Sequence, residues 1–356
     1  MVKNYNRENK FCILSVNQPQ MKSFIAIIFL LAILNTTKAQ DPHFSQFFAS
    51  PLTLNPALTG RIDGNFRIAG NYRKQWPTIN NAFTTGTVSF DMPILANRIP
   101  ENDTWGVGIM ALNDQSGNKI LNNNFVSLST AYHKGLDENG YHQITVGFQG
   151  TFASKRLDIT RADFEDELTS LGFTGVTSEV FNNNQVPINY FDLNTGVMYS
   201  GTTNTYNSFY IGASVYHINR PKESFQGGNF VLNPRLTIHG GGYTPLAKFT
   251  TLHASFIYQN QAGANETVLG GAVSQNVNND EESPVEVYGG LWYRFNDAII
   301  PYVGLEFSGL RMGFSYDFNV SSLKTATNTR GGMEISIIYV RVPPDRTSRK
   351  TNCPKF

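Results

Sequence analysis

Hydrophobic and polar residues alternate with a period of two along many short stretches of this chain. Between Gln143 and Phe152, every second residue is hydrophobic or glycine, and the residues between them are glutamine, threonine or glycine. Between Leu310 and Asn319, leucine, methionine, phenylalanine and tyrosine alternate with polar residues and one glycine. A helix would spread such residues around its whole surface, whereas a strand collects them on one face. The pattern therefore predicts strands that each have one hydrophobic and one polar face.

Similar segments, rich in phenylalanine, tyrosine, valine, threonine and glycine, recur along the chain. We distinguish about fourteen of them, each about 10 residues long, which is the length that a tilted strand needs to cross a bilayer. Their approximate limits are 66–75, 82–92, 104–113, 123–134, 141–156, 188–200, 207–219, 235–245, 250–259, 266–276, 285–294, 298–307, 310–319 and 331–340. The spacing predicts an all-β chain that folds as an antiparallel structure of about 14 strands.

Two architectures use so many amphipathic strands. A soluble sandwich buries the hydrophobic faces between two sheets, whereas a membrane barrel turns them towards lipid and lines its lumen with the polar faces. The polar faces carry Gln143, Gln149, Arg311 and Asp317, which favour a wet interior and hence a transmembrane outer-membrane barrel. Aromatic residues near strand ends are expected to form girdles at the membrane surfaces: Tyr72, Trp76, Tyr132, Tyr190, Trp292, Tyr293 and Tyr339. The alternation alone leaves the sandwich open as an alternative.

The amino-terminal region has the features of an export signal. A hydrophobic stretch of about 11 residues, 24–34, is long enough for a signal peptide and too short for a transmembrane helix. Lys22 precedes it, and small residues at 37 and 39 suggest cleavage before Gln40. We expect a signal peptide at 1–39, with Met21 as a possible true start. The predicted organisation continues with a periplasmic or plugging segment at 40–64, a barrel at 65–340 and a periplasmic tail at 341–356.

Composition and charge argue against several classes of function. Charged residues make up only 15%, and 28 basic against 27 acidic residues leave a formal charge of +1, so no basic surplus favours nucleic acid. No zinc spacing is present, and Cys12 and Cys353 are the two cysteines. The G-x-G-x-x-A match at 106–111 lies inside a predicted strand and does not indicate a nucleotide site. We expect no cofactor, metal site or catalytic residue. Five histidines are interpreted as structural, girdle or lumen residues: His133, His142, His217, His239 and His253.

Connections that follow odd-numbered strands are the longer ones, as on the outer side of outer-membrane barrels. This would place the predicted loop from Leu157 to Pro187 outside the cell, together with its acidic stretch at 161–168. Loops of this length are either functional or disordered, and we favour a functional loop.

The two ends of the mature sequence carry distinctive motifs. The chain resembles the PorP/SprF family of type IX secretion system membrane proteins of Bacteroidetes, whose mature chains begin with Q-D-P-x-F-S-Q followed by N-P-A and glycine. The matching residues are Gln40, Asp41, Pro42, Phe44, Ser45, Gln46, Asn55, Pro56, Ala57 and Gly60. Residues 331–339 resemble the last strand of the family, and Cys353, Pro354, Lys355 and Phe356 are similar to its C-P-[RK]-F ending.

The resemblance implies a non-enzymatic outer-membrane protein that supports export and surface anchoring of specific cargo, including gliding adhesins, through the C-terminal domain of the cargo. It also implies a periplasmic OmpA-like peptidoglycan-binding partner, besides outer-membrane lipid. The signature residues at both ends are candidates for partner contacts, although the first segment could equally serve as a simple plug. The alternative function is a diffusion porin or a transporter of hydrophobic small molecules, because a barrel of this size has room for a lumen.

Overall fold

The structure, a computed structural model, describes residues 41–342 apart from 80–81, 97, 171, 179–184, 204–206, 225–229 and 281–282. Its strands are β1 (Phe66–Gln75), β2 (Phe83–Ile94), β3 (Thr104–Ser116), β4 (Leu121–Gly135), β5 (His142–Asp158), β6 (Leu168–Thr169), β7 (Gly172–Phe173), β8 (Gln185–Thr202), β9 (Ser208–Tyr216), β10 (Arg235–Ala247), β11 (Thr250–Gln261), β12 (Ala264–Asn276), β13 (Val285–Arg294), β14 (Ala298–Phe307), β15 (Leu310–Asn319) and β16 (Arg330–Arg341). The predicted signal peptide and residues 343–356 lie outside the described residues.

Fourteen of these strands form one closed antiparallel barrel. Each strand pairs with its neighbour in sequence, except that β5 pairs directly with β8 across the small β6–β7 hairpin. The ring is closed by β1 and β16, whose register runs from Phe66 opposite Arg341 to Gln75 opposite Gly332. Closure leaves no unpaired sheet edge, which is the condition for spanning a membrane with strands. The predicted all-β barrel of about 14 strands is confirmed.

The two faces of the wall are the reverse of those in a soluble protein. In β15, Met312, Phe314 and Phe318 are exposed on the outside, whereas Ser315 and Asp317 are buried. The same alternation recurs in β5, where valine and phenylalanine face outward and Gln149 is buried. A barrel with hydrophobic residues outside and polar residues inside is suited to lipid around it. This arrangement excludes the sandwich alternative.

The predicted aromatic girdle is correct for some residues and wrong for two. Tyr72, Tyr132 and Tyr293 are exposed on the outer face, as expected. Trp292 and Tyr190, however, are buried on the inner face, with 1% and 8% exposure. Trp292 precedes Tyr293 in the same strand, so only one of the two can point outward.

The barrel has two different ends. We call the end that holds residues 65 and 342 the short-turn end; its connections include 136–141, 248–249 and 308–309. The opposite end, which we call the long-loop end, carries the two longest connections, 159–184 and 217–234. The predicted long loop thus lies on the side expected for it relative to the chain termini of the barrel, and its limits shift inward because β5 and β8 extend further than predicted.

The loop 159–184 contains local structure in its described part. Short 3-10 helices occupy Ile159–Arg161 and Glu165–Glu167, followed by β6 and β7. The exposed carboxylate of Asp166 accepts hydrogen bonds from the hydroxyl of Thr177 and from the backbone N–H and hydroxyl of Ser178. These bonds tie the acidic stretch to the end of the hairpin.

Residues 41–62, which we call the lumenal segment, lie inside the barrel. They contain a 3-10 helix (Phe47–Ala49), a short α-helix (Pro51–Leu54) and a second 3-10 helix (Pro56–Leu58). A further short α-helix, Lys324–Thr327, lies in a loop at the long-loop end. None of the helices in the described ranges is long and apolar enough to cross a membrane. The lumenal segment is the element that brings the signature residues into contact with the wall.

Candidate functional site

The lumenal segment is held at its beginning by charged residues of the long-loop end. The carboxylate of Asp41 lies 2.6 Å from Nε2 of His217 and 3.4 Å from Nη1 of Arg235. The backbone N–H of Asp41 donates to Oε1 of Gln261 at 2.8 Å. His217 follows β9, Arg235 begins β10 and Gln261 ends β11. Three neighbouring strand ends therefore form one clamp, which we call the Asp41 clamp.

The protonation of the Asp41 clamp favours a salt bridge. Burial opposes the charge on His217, but the carboxylate of Asp41 and the hydrogen bond that His217 donates to Asp192 outweigh it and raise the pKa of His217 to about 9. Nδ1 of His217 lies 2.8 Å from the Asp192 carboxylate. Burial likewise opposes the charge on Asp41, but His217 and Arg235 hold the pKa of Asp41 below its usual value. Both partners of the salt bridge are therefore ionised at neutral pH.

The next residues of the segment are bound by a buried acidic pair on β15 and β16. The backbone N–H groups of Ser45 and Gln46 donate to the Glu334 carboxylate at 2.7 and 3.0 Å. The Ser45 hydroxyl donates to Asp317 at 2.8 Å. Arg294 donates to Asp317 at 3.0 Å and so compensates this charge. A carboxylate that accepts two consecutive backbone N–H groups recognises the course of the chain as well as its side chains.

Aromatic contacts fix the turn that follows. The Phe48 ring lies 4.9 Å from that of Trp292 and meets the Tyr302 ring edge-on at 5.5 Å. The Trp292 indole N–H donates to Ser255 at 3.1 Å. Phe47 is also buried in this cluster. These inward aromatics, two of them from the wall, belong to a buried hydrophobic cluster of wall and segment residues inside the barrel.

The middle of the segment is pressed against glycine positions of the wall. The Asn55 side chain caps the second 3-10 helix by accepting from the backbone N–H of Ala57 at 2.8 Å, and its amide lies 3.0 Å from Nε2 of His239. A side chain at Gly147 would overlap the backbone of Pro56, and one at Gly196 would overlap Asn55. The wall therefore needs glycine where the Asn-Pro-Ala motif crosses it.

The last residues of the segment descend to the short-turn end. The backbone of Gly60 has a φ of +71° and lies directly against Gly106 of β3. The Gly60 N–H donates to the fully buried carboxylate of Asp91 at 2.7 Å. Asp91 is held in turn by two hydrogen bonds from Arg67, at 2.9 and 2.7 Å. Nε2 of His133 lies 2.8 Å from the Thr59 carbonyl oxygen. The close approach of the two backbones explains why both Gly60 and Gly106 are glycine, since neither position has room for a side chain.

The structure places most of the signature residues in one continuous site. Asp41, Pro42, Phe44, Ser45, Gln46, Asn55, Pro56, Ala57 and Gly60 all belong to the lumenal segment. Gln40, Cys353, Pro354 and Phe356 lie outside the described residues. The wall residues of the site, such as His217, Arg235 and Glu334, were not singled out as site residues from the sequence. Period two places some of them inward, but nothing in the sequence pairs them with the segment.

No group of three or more histidine, cysteine, aspartate or glutamate side chains able to hold a metal ion occurs in the part of the chain that the structure describes. The site is one of chain-to-wall recognition by charge, hydrogen bonds and close packing.

A closed antiparallel barrel with a hydrophobic outer face and a polar lumen defines an outer-membrane β-barrel protein. The family model of the type IX secretion system membrane protein PorP/SprF matches residues 36–339. The chain therefore belongs to the PorP/SprF family, as the motifs at its two ends indicated. No curated protein matches it in sequence.

Solved structures of other barrels resemble the fold. One is the toluene transporter TbuX of Ralstonia pickettii, at 10% identity and a TM-score of 0.47 over 86% of this chain and 96% of that chain. Another is a FadL homologue of Pseudomonas aeruginosa, at 10% identity and a TM-score of 0.45 over 80% and 92% of the two chains.

Proposed function

We propose that this protein is a non-enzymatic component of the type IX secretion system that supports export and surface anchoring of specific cargo. The cargo are adhesin-like proteins, recognised through their C-terminal domains. Membership of the PorP/SprF family supports the assignment to this secretion system. The anchoring role is supported by how the interior of the barrel is occupied.

The observation that carries the proposal is the occupied lumen. The lumenal segment contacts His239 on β10 and, on the opposite side of the ring, Asp91 on β2 and Glu334 on β16. A diffusion channel requires a continuous aqueous path, and we propose that the buried chain across the lumen blocks it. A rigid barrel filled by its own chain is suited to hold a partner rather than to pass a solute.

A gene deletion tests the cargo role. We expect general export by the secretion system to continue, whereas surface display of one adhesin-like protein is lost. Display is measured by surface proteomics of intact cells, with the wild-type gene returned in trans as the control. Equal loss of every exported protein would contradict a role in anchoring specific cargo.

The proposed periplasmic partner is an OmpA-like peptidoglycan-binding protein. It would bind the short-turn end, where the last strand leaves the barrel at Arg341. Purification of the protein from outer membranes should recover both the cargo and this partner. A preparation that retains cargo but never the OmpA-like protein would remove the partner from the proposal and leave the anchoring role intact.

The alternative function is a porin or a transporter of hydrophobic small molecules. It is tested by joining the lumenal segment to the wall with a disulfide bond. The hydroxyls of Thr59 and Ser129 lie 3.0 Å apart, so the pair Thr59→Cys/Ser129→Cys joins the segment to the wall. The matched control joins two wall residues, Ser127→Cys/Thr151→Cys, whose hydroxyls lie 2.8 Å apart. Both pairs are made in a Cys353→Ser background.

We expect low conductance in planar bilayers for the unlocked protein, and normal cargo display for both oxidised pairs. A steady conductance that is lost on oxidation of the Thr59/Ser129 pair, but not of the control pair, would favour the transport function instead.

A further inference from the structure

The lumenal segment runs through the barrel from one end to the other. Asp41 is clamped at the long-loop end, by residues that border the loop 217–234 and the turn 262–263. The chain reaches the opposite end at Asn65, whose N–H donates to the carbonyl oxygen of Arg341 at 2.7 Å. The segment therefore begins and ends at different mouths of the barrel.

We infer that the amino terminus of the processed chain is presented at the long-loop mouth, on the opposite side of the membrane from the end of β16 at Arg341. This inference departs from the expectation that the first residues meet the periplasmic side. It makes the amino terminus part of the surface that a partner on the long-loop side contacts.

The Asp41 clamp is built into the wall rather than formed by flexible surface groups. His217 has a φ of +60°, a conformation that residues other than glycine rarely adopt. Its backbone N–H donates to the side-chain oxygen of Asn194 at 3.0 Å, and the residue is only 6% exposed. Arg235 stacks over the Tyr216 ring, with 4.2 Å between the guanidinium carbon and the ring centroid. The wall thus holds both cationic groups in place for Asp41.

The contacts that follow Asp41 maintain the same direction. His43 lies 2.8 Å from Glu266, near the start of β12 at the long-loop end. Ser45 contacts Asp317, which lies near the end of β15 at the same mouth. Three successive anchors on different strands therefore place residues 41–45 at this end, and the orientation does not depend on any single hydrogen bond.

The partner that fits this surface is the exported cargo, and this identification alone rests on the proposed function. Cargo held on the outer side would meet the amino-terminal residues together with the long loops. A protein bound at the short-turn end would not reach them. The position of the amino terminus itself is independent of the cargo and can be measured directly.

Cysteine labelling in intact cells tests the position. In a Cys353→Ser background, one variant carries Gly-Ser-Cys inserted between Gln40 and Asp41. Two single substitutions mark the ends: Ser170→Cys in the loop 159–184 and Asn139→Cys in the connection 136–141, both at exposed positions. A membrane-impermeant maleimide is added to intact cells and, separately, to lysed cells. Only variants with the heat-dependent gel mobility of a folded barrel are scored.

We expect the inserted cysteine to react with the reagent in intact cells, as Ser170→Cys does. Asn139→Cys should react only after the cells are lysed. A second variant, Pro42→Cys, tests the same position without an insertion, because Pro42 is half-buried at the mouth. Labelling of either amino-terminal cysteine with the pattern of Asn139→Cys overturns the inference. So does the absence of labelling of both in intact and lysed cells, since the inference requires access from the long-loop mouth. Neither result would depend on whether cargo is displayed.

Discussion

Replacement of Gly106 by alanine tests whether the lumenal segment is seated against β3. A methyl group at this position would lie 2.7 Å from the Cα atom of Gly60 and still closer to the carbonyl oxygen of Thr59. Unstrained carbon atoms approach to about 3.5 Å. Both obstacles are backbone atoms, so no flexible side chain can move aside. The segment must therefore shift away from the wall, or the wall must bend.

The size of the effect follows from the packing. Overfilling a well-packed site costs about 1–3 kcal/mol, which corresponds to an about 5- to 140-fold change in the ratio of displaced to seated segment. The displaced state opens a path along β3, so the open probability in planar bilayers should rise by a factor in this range.

The matched control is Gly289→Ala, because a methyl group at Gly289 would have no atom within 4 Å. Both variants are checked for the heat-dependent mobility of a folded barrel before the conductance is recorded. If Gly106→Ala conducts no more often than Gly289→Ala, the segment does not close the lumen at β3 and the reasoning is refuted.

Three further predictions concern the bonds that hold the segment. The raised pKa of His217 means that its protonated form stabilises the folded state fully below pH 6.5, and that this contribution is lost as the pH rises through about 9. Channel openings in planar bilayers should therefore become more frequent over this pH range. In Asp41→Asn, the frequency of openings should depend less on pH. Glu334→Ala removes the acceptor of two buried backbone N–H groups and should lower stability by about 1–3 kcal/mol for each donor left unsatisfied, measured as a urea midpoint in detergent, whereas Glu334→Gln should retain part of it. Asp91→Ala leaves a buried Arg67 without its carboxylate and should lower the free energy of unfolding by about 3–5 kcal/mol in the same assay. Part of this stability should return when Arg67→Met is combined with Asp91→Leu. An equal loss of stability in the single and double variants would count against the ion pair as the cause.

The strands and their inward and outward faces could be predicted from the sequence because successive side chains of a barrel strand point alternately to the lipid and to the lumen. The same periodicity does not indicate which residues the inward side chains contact in the lumen. Gly106 illustrates the limit: its place in a predicted strand does not indicate which part of the chain it contacts, and the atom that approaches it belongs to Gly60, 46 positions earlier in the chain. Trp292 illustrates another, since an aromatic residue near a strand end suits either the membrane surface or a lumenal core. Only the three-dimensional course of residues 41–62 distinguishes these cases.

The seam between β1 and β16 has a consequence for assembly. Helical turns at 47–58 are wider than an extended chain, and they contact strands in different parts of the ring, among them β5, β8, β10 and β13. Passing such a folded stretch lengthwise through a finished ring would require breaking those contacts one after another. A ring that closes around a segment already in place avoids this, so we expect the first and last strands to pair late in folding.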